Sequence, residues 1–240
     1  MRTNSNKEVI VALDFASVEE TFNFLALFTE ALYVKVGMEL YYQVGPEIIR
    51  KLKQLGHKIF LDLKLHDIPN TVKETMKSLG KLDLDLVNVH AMGGIEMMKA
   101  ALNGLRSTNK NTKCIAVTAL TSLSDAVLKR ELLINRKLET TVLHYAQNAF
   151  NAGLDGVVCS PLEVQLIHRN LGEAFLTVTP GIRLDGDNVD DQVRVTTPVK
   201  AKIYGADYIV VGRSITRAID PVITYNKIKA SFMRGDNDEN

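Results

Sequence analysis

A chain of 240 residues with 46% hydrophobic and 24% charged side chains has the make-up of an ordinary soluble globular protein, with room for one large α/β core or two small ones. Its formal net charge of +1 gives no sign of a nucleic-acid or acidic-membrane partner, so both are set aside. No segment approaches the roughly 18 apolar residues of a membrane span.

From the N-terminus, MRTNSNKEVI lacks the apolar run of a signal peptide. Cys114 and Cys159 lie in apolar runs without metal-ligand spacing, which reads as buried thiols in a reducing compartment. Together these predict a cytoplasmic protein. Short β-branched runs then recur: VIVALDF (9–15), YVKVGM (33–38), KIFLDLKL (58–65), LDLVNVHA (84–91), KCIAVTAL (113–120), GVVCS (156–160), FLTVTPGI (175–182) and YIVVGRSI (208–215). Amphipathic stretches separate them, among them PEIIRKLKQLG (46–56), GIEMMKAALNGL (94–105) and ETTVLHYAQNAFNAG (139–153). Several end on glycine, a helix stop.

Eight strands alternating with helices predict a parallel sheet. The first strand-to-helix junction, LDFASVEE, carries no G-x-G-x-x-G turn, which weighs against an open dinucleotide-binding sheet. No linker or composition shift divides the chain. The expectation is one (β/α)8 TIM barrel over residues 1–240, with its active site at the C-terminal ends of the strands and a frayed tail over 233–240.

Polar residues gather at those strand ends in chain order: Asp14, Lys35, Asp62 and Lys64, His90, Thr121, Arg183, and Arg213, which follows Gly212. Strand alternation places Ile59, Leu61, Leu63 and Leu65 on one face of the third strand and Phe60, Asp62, Lys64 and His66 on the other. Asp62 and Lys64, about 6.6 Å apart along that face, are within reach of each other. With Lys35 and Asp67 they form an alternating array without net charge, which makes burial tolerable. Other readings stay open: Asp67 as the cap of a helix over Pro69–Leu79, Asp62–Lys64 as a structural ion pair, and His66 and His90 as packing residues. The long polar connection within TPGIRLDGDNVDDQVRVTTP (179–198) reads as a mobile lid, with 184–196 the moving part. VVGRSIT (210–216) sits where such barrels bind phosphate, with Arg213 either the fork or part of a surface salt bridge, and Gln192 either reaching in from the lid or an ordinary exposed loop residue.

DLKLHDIPNTV (62–72), PGIR (180–183), DDQVRVTTP (190–198) and GADYIVVGRSIT (205–216) resemble the bacterial orotidine 5′-phosphate decarboxylase family, in order and over nearly the whole chain. The resemblance implies conversion of orotidine 5′-monophosphate (OMP) to uridine 5′-monophosphate (UMP) and CO2, the last step of UMP synthesis, with no metal and no cofactor. It implies Lys64 as proton donor to C6, Asp62 beside the departing carboxylate, and Lys35 completing the catalytic array. Asp14 and Lys35 would hold the ribose, Thr121 the base, and Gln192, Gly212 and Arg213 the phosphate. Pro180 and Arg183 would frame the lid. Asp67 and Thr71, with Ile68 between them, would belong to a site shared across a homodimer.

Two alternatives remain at the level of sequence. One is a metal-dependent sugar-phosphate decarboxylase or aldolase on the same barrel; Glu39 lies just beyond the second strand. The other is a catalytically silent nucleotide-binding barrel.

Overall fold

The structure, a computed structural model, describes residues 7–184 and 195–233. Eight parallel strands close into a barrel in chain order: β1 (Glu8–Ala12), β2 (Tyr33–Gly37), β3 (Lys58–Leu65), β4 (Leu86–His90), β5 (Lys113–Val117), β6 (Gly156–Val158), β7 (Leu176–Thr179) and β8 (Tyr208–Val211), with β8 pairing back onto β1. The intervening helices are α1 (Val18–Leu25), α2 (Met38–Val44), α3 (Glu47–Gln54), α4 (Pro69–Leu79), α5 (Gly94–Arg106), α6 (Asp125–Arg130), α7 (Leu138–Asn151), α8 (Val164–Leu171), α9 (Pro198–Tyr204), α10 (Arg213–Thr216) and α11 (Pro221–Met233). The predicted (β/α)8 barrel is therefore the observed fold. Among the described residues no helix is long and apolar enough to cross a membrane.

Period-two patterning builds two cores. Side chains such as Ile10, Phe60, Leu86, Ile115, Val178 and Val210 fill the barrel interior. Their sequence neighbours, such as Val11, Leu61, Val87, Ala116 and Val211, pack outward under the helices. Both cysteines are buried and in no disulfide. Helix starts follow local chemistry: Ser17, Ser124 and Thr197 each accept a backbone N–H of the first turn of α1, α6 and α9, and Pro69 opens α4.

The opposite, N-terminal end is stitched by a repeated device. Asp85, Asp155 and Asp207 each precede a strand and accept the N–H of a neighbouring strand, from Ile59 at 2.8 Å, Cys114 at 2.7 Å and Thr177 at 2.8 Å. Lys53, Arg106 and His168 approach the same three carboxylates at 3.2, 3.0 and 3.6 Å. Acidic residues at this end serve stability, leaving the other end for chemistry.

Most strands stop earlier than their apolar runs. Leu13, Ala119 and Cys159 remain buried beyond the last ladder residue because the chain still packs on the helical layer as it turns over the mouth. Hydrophobicity alone cannot mark that turn. Asp14, Thr121 and Pro180 consequently sit on loops just past β1, β5 and β7.

Candidate active site

At the C-terminal mouth of the barrel lies a cavity of about 510 Å³. Ala12, Phe60, Val158 and Val210 contribute its apolar floor, continuous with the barrel interior. The loops and ends of β1 to β3 supply charge to one part of the wall, and those after β7 and β8 supply Arg183, Arg213 and Arg217.

The charges near β1 to β3 form an alternating chain. The Lys35 ammonium donates to Oδ1 of Asp14 at 2.9 Å and lies 3.7 Å from Oδ2 of Asp62. Lys64 Nζ donates to Oδ1 of Asp62 at 2.8 Å. Asn88, on β4, donates its Nδ2 to the same oxygen at 2.7 Å. Burial alone would raise the Asp62 carboxyl, but the charges of Lys35 and Lys64 and hydrogen bonds from Lys64 and Asn88 hold it below its ordinary value. Asp62 therefore stays ionised in a nearly buried position.

Alternation along β3 holds as far as Leu63 and breaks at Lys64. Leu61 pairs with Val87 but Leu65 pairs with Val89, so three residues of β3 face the single residue Asn88. Lys64 takes a left-handed backbone, φ +52°, and its N–H donates to Asn88 Oδ1 at 2.8 Å. A bulge of this kind re-aims a side chain, here into the cavity. His66 is thereby thrown onto the exposed rim rather than sharing the inner face. It stacks on His90 with ring centroids 5.5 Å apart. His90 accepts from the Met92 N–H, and burial, with the nearby His66 and Lys64, lowers its pKa.

Asp14, Lys35, Asp62, Lys64, Thr121, Pro180, Arg183, Gly212 and Arg213 all line the one cavity. Arg183 is buried and donates to the Ile182 carbonyl at 2.9 Å. Gln192 and most of the expected lid lie outside the described residues, but its two ends are tied together. The Thr196 N–H donates to Gly181, the Arg183 N–H donates to Thr196, and Gly181 takes φ +84°.

Asp67, Ile68 and Thr71 do not join this chain's cavity. All three are exposed, Ile68 by 67%. Reading Asp67 as a helix cap is corrected: Ile68 occupies the N-cap position of α4, and among the described residues the Asp67 carboxylate accepts only the Ile68 N–H, at 2.7 Å. The array within one chain ends instead with Asp14.

Two lining or supporting residues, Arg217 and Asn88, escaped the sequence reading, which weighed Glu39 only for the metal-dependent alternative. Arg217 follows Arg213 by one helical turn, a spacing that puts both on one face. Glu39, in the first turn of α2, lines the cavity. Asn88 was legible only as a polar residue on the inward period of an apolar strand. Among the described residues the cavity's carboxylates are thus Asp14, Glu39 and Asp62, with the Lys35 ammonium already between Asp14 and Asp62. Among the described residues no cluster of three or more His, Cys, Asp or Glu is arranged to hold a metal ion.

The sequence profile of the orotidine 5′-phosphate decarboxylase / HUMPS family matches residues 7–228. An orotidine 5′-phosphate decarboxylase from Geobacillus sp. (strain WCH70) is 59% identical over 232 residues, covering 95% of this chain and 97% of the relative. One from Staphylococcus aureus (strain Mu50 / ATCC 700699) is 56% identical over 224 residues, covering 93% and 97%. Among solved structures, orotidine 5′-phosphate decarboxylase from Lactobacillus acidophilus superposes with TM-score 0.85 at 46% identity, over 94% of this chain and 99% of the other. An uncharacterized conserved protein from Geobacillus kaustophilus gives TM-score 0.83 at 51% identity, over 93% and 99%.

Proposed function

This chain belongs to the orotidine 5′-phosphate decarboxylase / HUMPS family, and we propose how its residues carry out the reaction. It is an enzyme, a carboxy-lyase of pyrimidine biosynthesis that acts on OMP. The finer reading is a decarboxylation without metal or cofactor in which Lys64 delivers a proton to C6.

The observation that carries this reading is the ammonium of Lys64, held at 2.8 Å on a buried carboxylate and directed into the cavity. Breaking the bond between C6 and the carboxylate releases CO2 and leaves the electron pair on C6. The pyrimidine ring delocalises that pair poorly. An ammonium against C6 stabilises charge that develops only in the transition state, then donates its proton to give UMP and is reprotonated from water. Asp62 lies on the other side, where its charge repels the substrate carboxylate. Two unit charges at 4 Å interact by about 4 kcal/mol at an effective dielectric of 20.

Binding is divided around the mouth. Asp14 and Lys35 take the ribose hydroxyls and Thr121 the base. Arg213, the Gly212 backbone and Gln192 take the phosphate, with Pro180 and Arg183 framing the connection that closes over it. Remote phosphate binding is then used to assemble the charged site. The exposed Asp67, Ile68 and Thr71 complete the cavity of a second copy in a homodimer.

Lys35 also bears on the metal-dependent alternative. Its ammonium occupies the space between Asp14 and Asp62 that a divalent cation would need. The test is loss of OMP absorbance in the ultraviolet, with and without EDTA, for the natural protein and Lys64→Ala. The expected result is EDTA-resistant turnover that Lys64→Ala abolishes while UMP binding survives. Loss of activity in EDTA, or full activity of Lys64→Ala, overturns the reading.

A further inference from the structure

We infer that Asn88 is a positioning residue: its one carboxamide sets both the carboxylate of Asp62 and the backbone of Lys64. The inference rests on the reading of Lys64 as proton donor. Asn88 is 1% exposed and stands between Val87 and Val89, both fully buried. On its β5 side it keeps regular register with Ile115. Toward β3 the ladder is interrupted, because Asp62, Leu63 and Lys64 all lie opposite this one residue. The side chain substitutes for the missing ladder.

Its two hydrogen bonds have opposite polarity. Oδ1 accepts the Lys64 N–H at 2.8 Å, and Nδ2 donates to Asp62 Oδ1 at 2.7 Å. Among side chains that keep one charge state across pH, only an amide offers an acceptor and a donor on one carbon. Leucine or alanine would strand the Lys64 N–H, and an ionised acid would lose the donor. A non-glycine residue holds a left-handed backbone only where its surroundings enforce it. Of the three such residues among those described, Lys64, Asp83 and Leu133, only Lys64 lines the cavity. Asn88 supplies that enforcement. The same Asp62 oxygen receives the Lys64 ammonium, so the amide fixes both ends of the side chain that must meet C6.

A second consequence concerns ionisation. Facing Asp62 are Lys35 from β2, Lys64 from its own strand and Asn88 from β4, with Asp14 beyond Lys35; His90 and His66 lie near Lys64. Asn88 is the neutral donor in this set. An aspartate at 88 would put two carboxylates in hydrogen-bond contact, and the like charge raises the pKa of one of the pair.

The experiment compares the natural full-length protein with Asn88→Ala, Asn88→Asp and Lys64→Ala. It reads kcat and KM for OMP across pH, Kd for UMP, and thermal melting. For Asn88→Ala we expect kcat to fall about a hundredfold, as misplacement of a reacting group does. UMP affinity should stay within about threefold, since uniform binding is untouched. For Asn88→Asp, which has the same size and shape, the acid limb of kcat should move up by about one pH unit or more. Should Asn88→Ala not fold, that limb decides the matter alone.

A wild-type pH profile in Asn88→Asp overturns the inference, as does a kcat in Asn88→Ala within about threefold of wild type. Equal losses of kcat, UMP affinity and melting temperature also overturn it, since they signal a merely structural role. If instead the natural protein leaves OMP untouched, or Lys64→Ala is fully active, the Lys64 reading fails and takes this inference with it. Active wild type, dead Lys64→Ala and unimpaired Asn88 variants would sink the Asn88 role alone.

Discussion

A Cβ built on Gly37 stands 3.0 Å from the ammonium nitrogen of Lys35, tighter than ordinary van der Waals contact. Gly37 has φ −90°, a backbone any residue adopts, so its lack of a side chain serves the neighbouring lysine rather than a turn. Gly37→Ala should therefore fold normally and displace the Lys35 ammonium by a few tenths of an ångström from its place between Asp14 and Asp62. The expected outcome is a fall in kcat/KM of about tenfold with an unchanged melting temperature. Steady-state kinetics beside a thermal melt check it; unaltered kinetics would show that Lys35 shifts without consequence.

Asp62 gives a pH dependence of stability whose sign is set by its surroundings. Its carboxyl is held below the ordinary value despite burial, through Lys35, Lys64 and the hydrogen bonds it accepts. A depressed folded pKa contributes stability that is fully present above the unfolded value of about 3.9 and is lost as pH falls through the folded value. Asp62→Asn removes that dependence and leaves Lys35 and Lys64 less well compensated. We expect the wild type to be the more stable near neutrality and the gap to narrow in acid, below about pH 4. Urea unfolding of both proteins across that range measures it. A gap that stays constant with pH would mean that Asp62 does not carry the linkage.

What could be read from the residues alone was the part that breaks an apolar pattern. Asp62 and Lys64 stand out because ions in a β-branched run demand an explanation, and Lys35, Arg183 and Arg213 stand out at strand ends. The eight-unit barrel follows from the same rhythm of apolar runs. What escaped depends on neighbours that the local sequence does not specify. The bulge at Lys64 is a matter of register between β3 and β4, so strict alternation misplaced His66. Asn88 is uncharged and sits in a run that reads simply as core. Within one chain Asp14 joins Lys35 from another strand, while Asp67 is exposed and lies outside this chain's cavity, a placement that sequence proximity to Asp62 and Lys64 does not reveal.

The phosphate end should divide unequally between its arginines. Arg213 begins α10 immediately after Gly212, while the exposed Arg217 follows a turn later and lines the same cavity. A charge-assisted hydrogen bond contributes about 1.5–3 kcal/mol, which corresponds to a KM rise of roughly ten- to a hundredfold for Arg213→Ala. Arg217→Ala, acting from a more solvent-screened position, should raise KM by only a few-fold. Kinetics with OMP and with the phosphate-free nucleoside orotidine separate phosphate contacts from the rest, because neither substitution should alter turnover of the nucleoside. Wild-type kinetics for Arg213→Ala would remove that residue from the site.

The exposed position of Asp67 leads to a test of the shared site. If its carboxylate completes the cavity of a second copy, Lys64→Ala and Asp67→Ala damage different halves of each site in a symmetric dimer. Each homodimer would carry the same defect twice. A mixed dimer, however, would place both defects in one site and leave the other whole. Random exchange of equal amounts makes about half of the dimers mixed, with one working site of two, so activity should recover to about a quarter of wild type. The measurement is turnover of OMP after the two inactive variants are unfolded and refolded together, with mixed dimers counted by native mass spectrometry. A mixture that holds mixed dimers yet stays as inactive as its parents would place Asp67 and Lys64 in the same subunit's site. A fully active Asp67→Ala homodimer would take Asp67 out of the chemistry altogether.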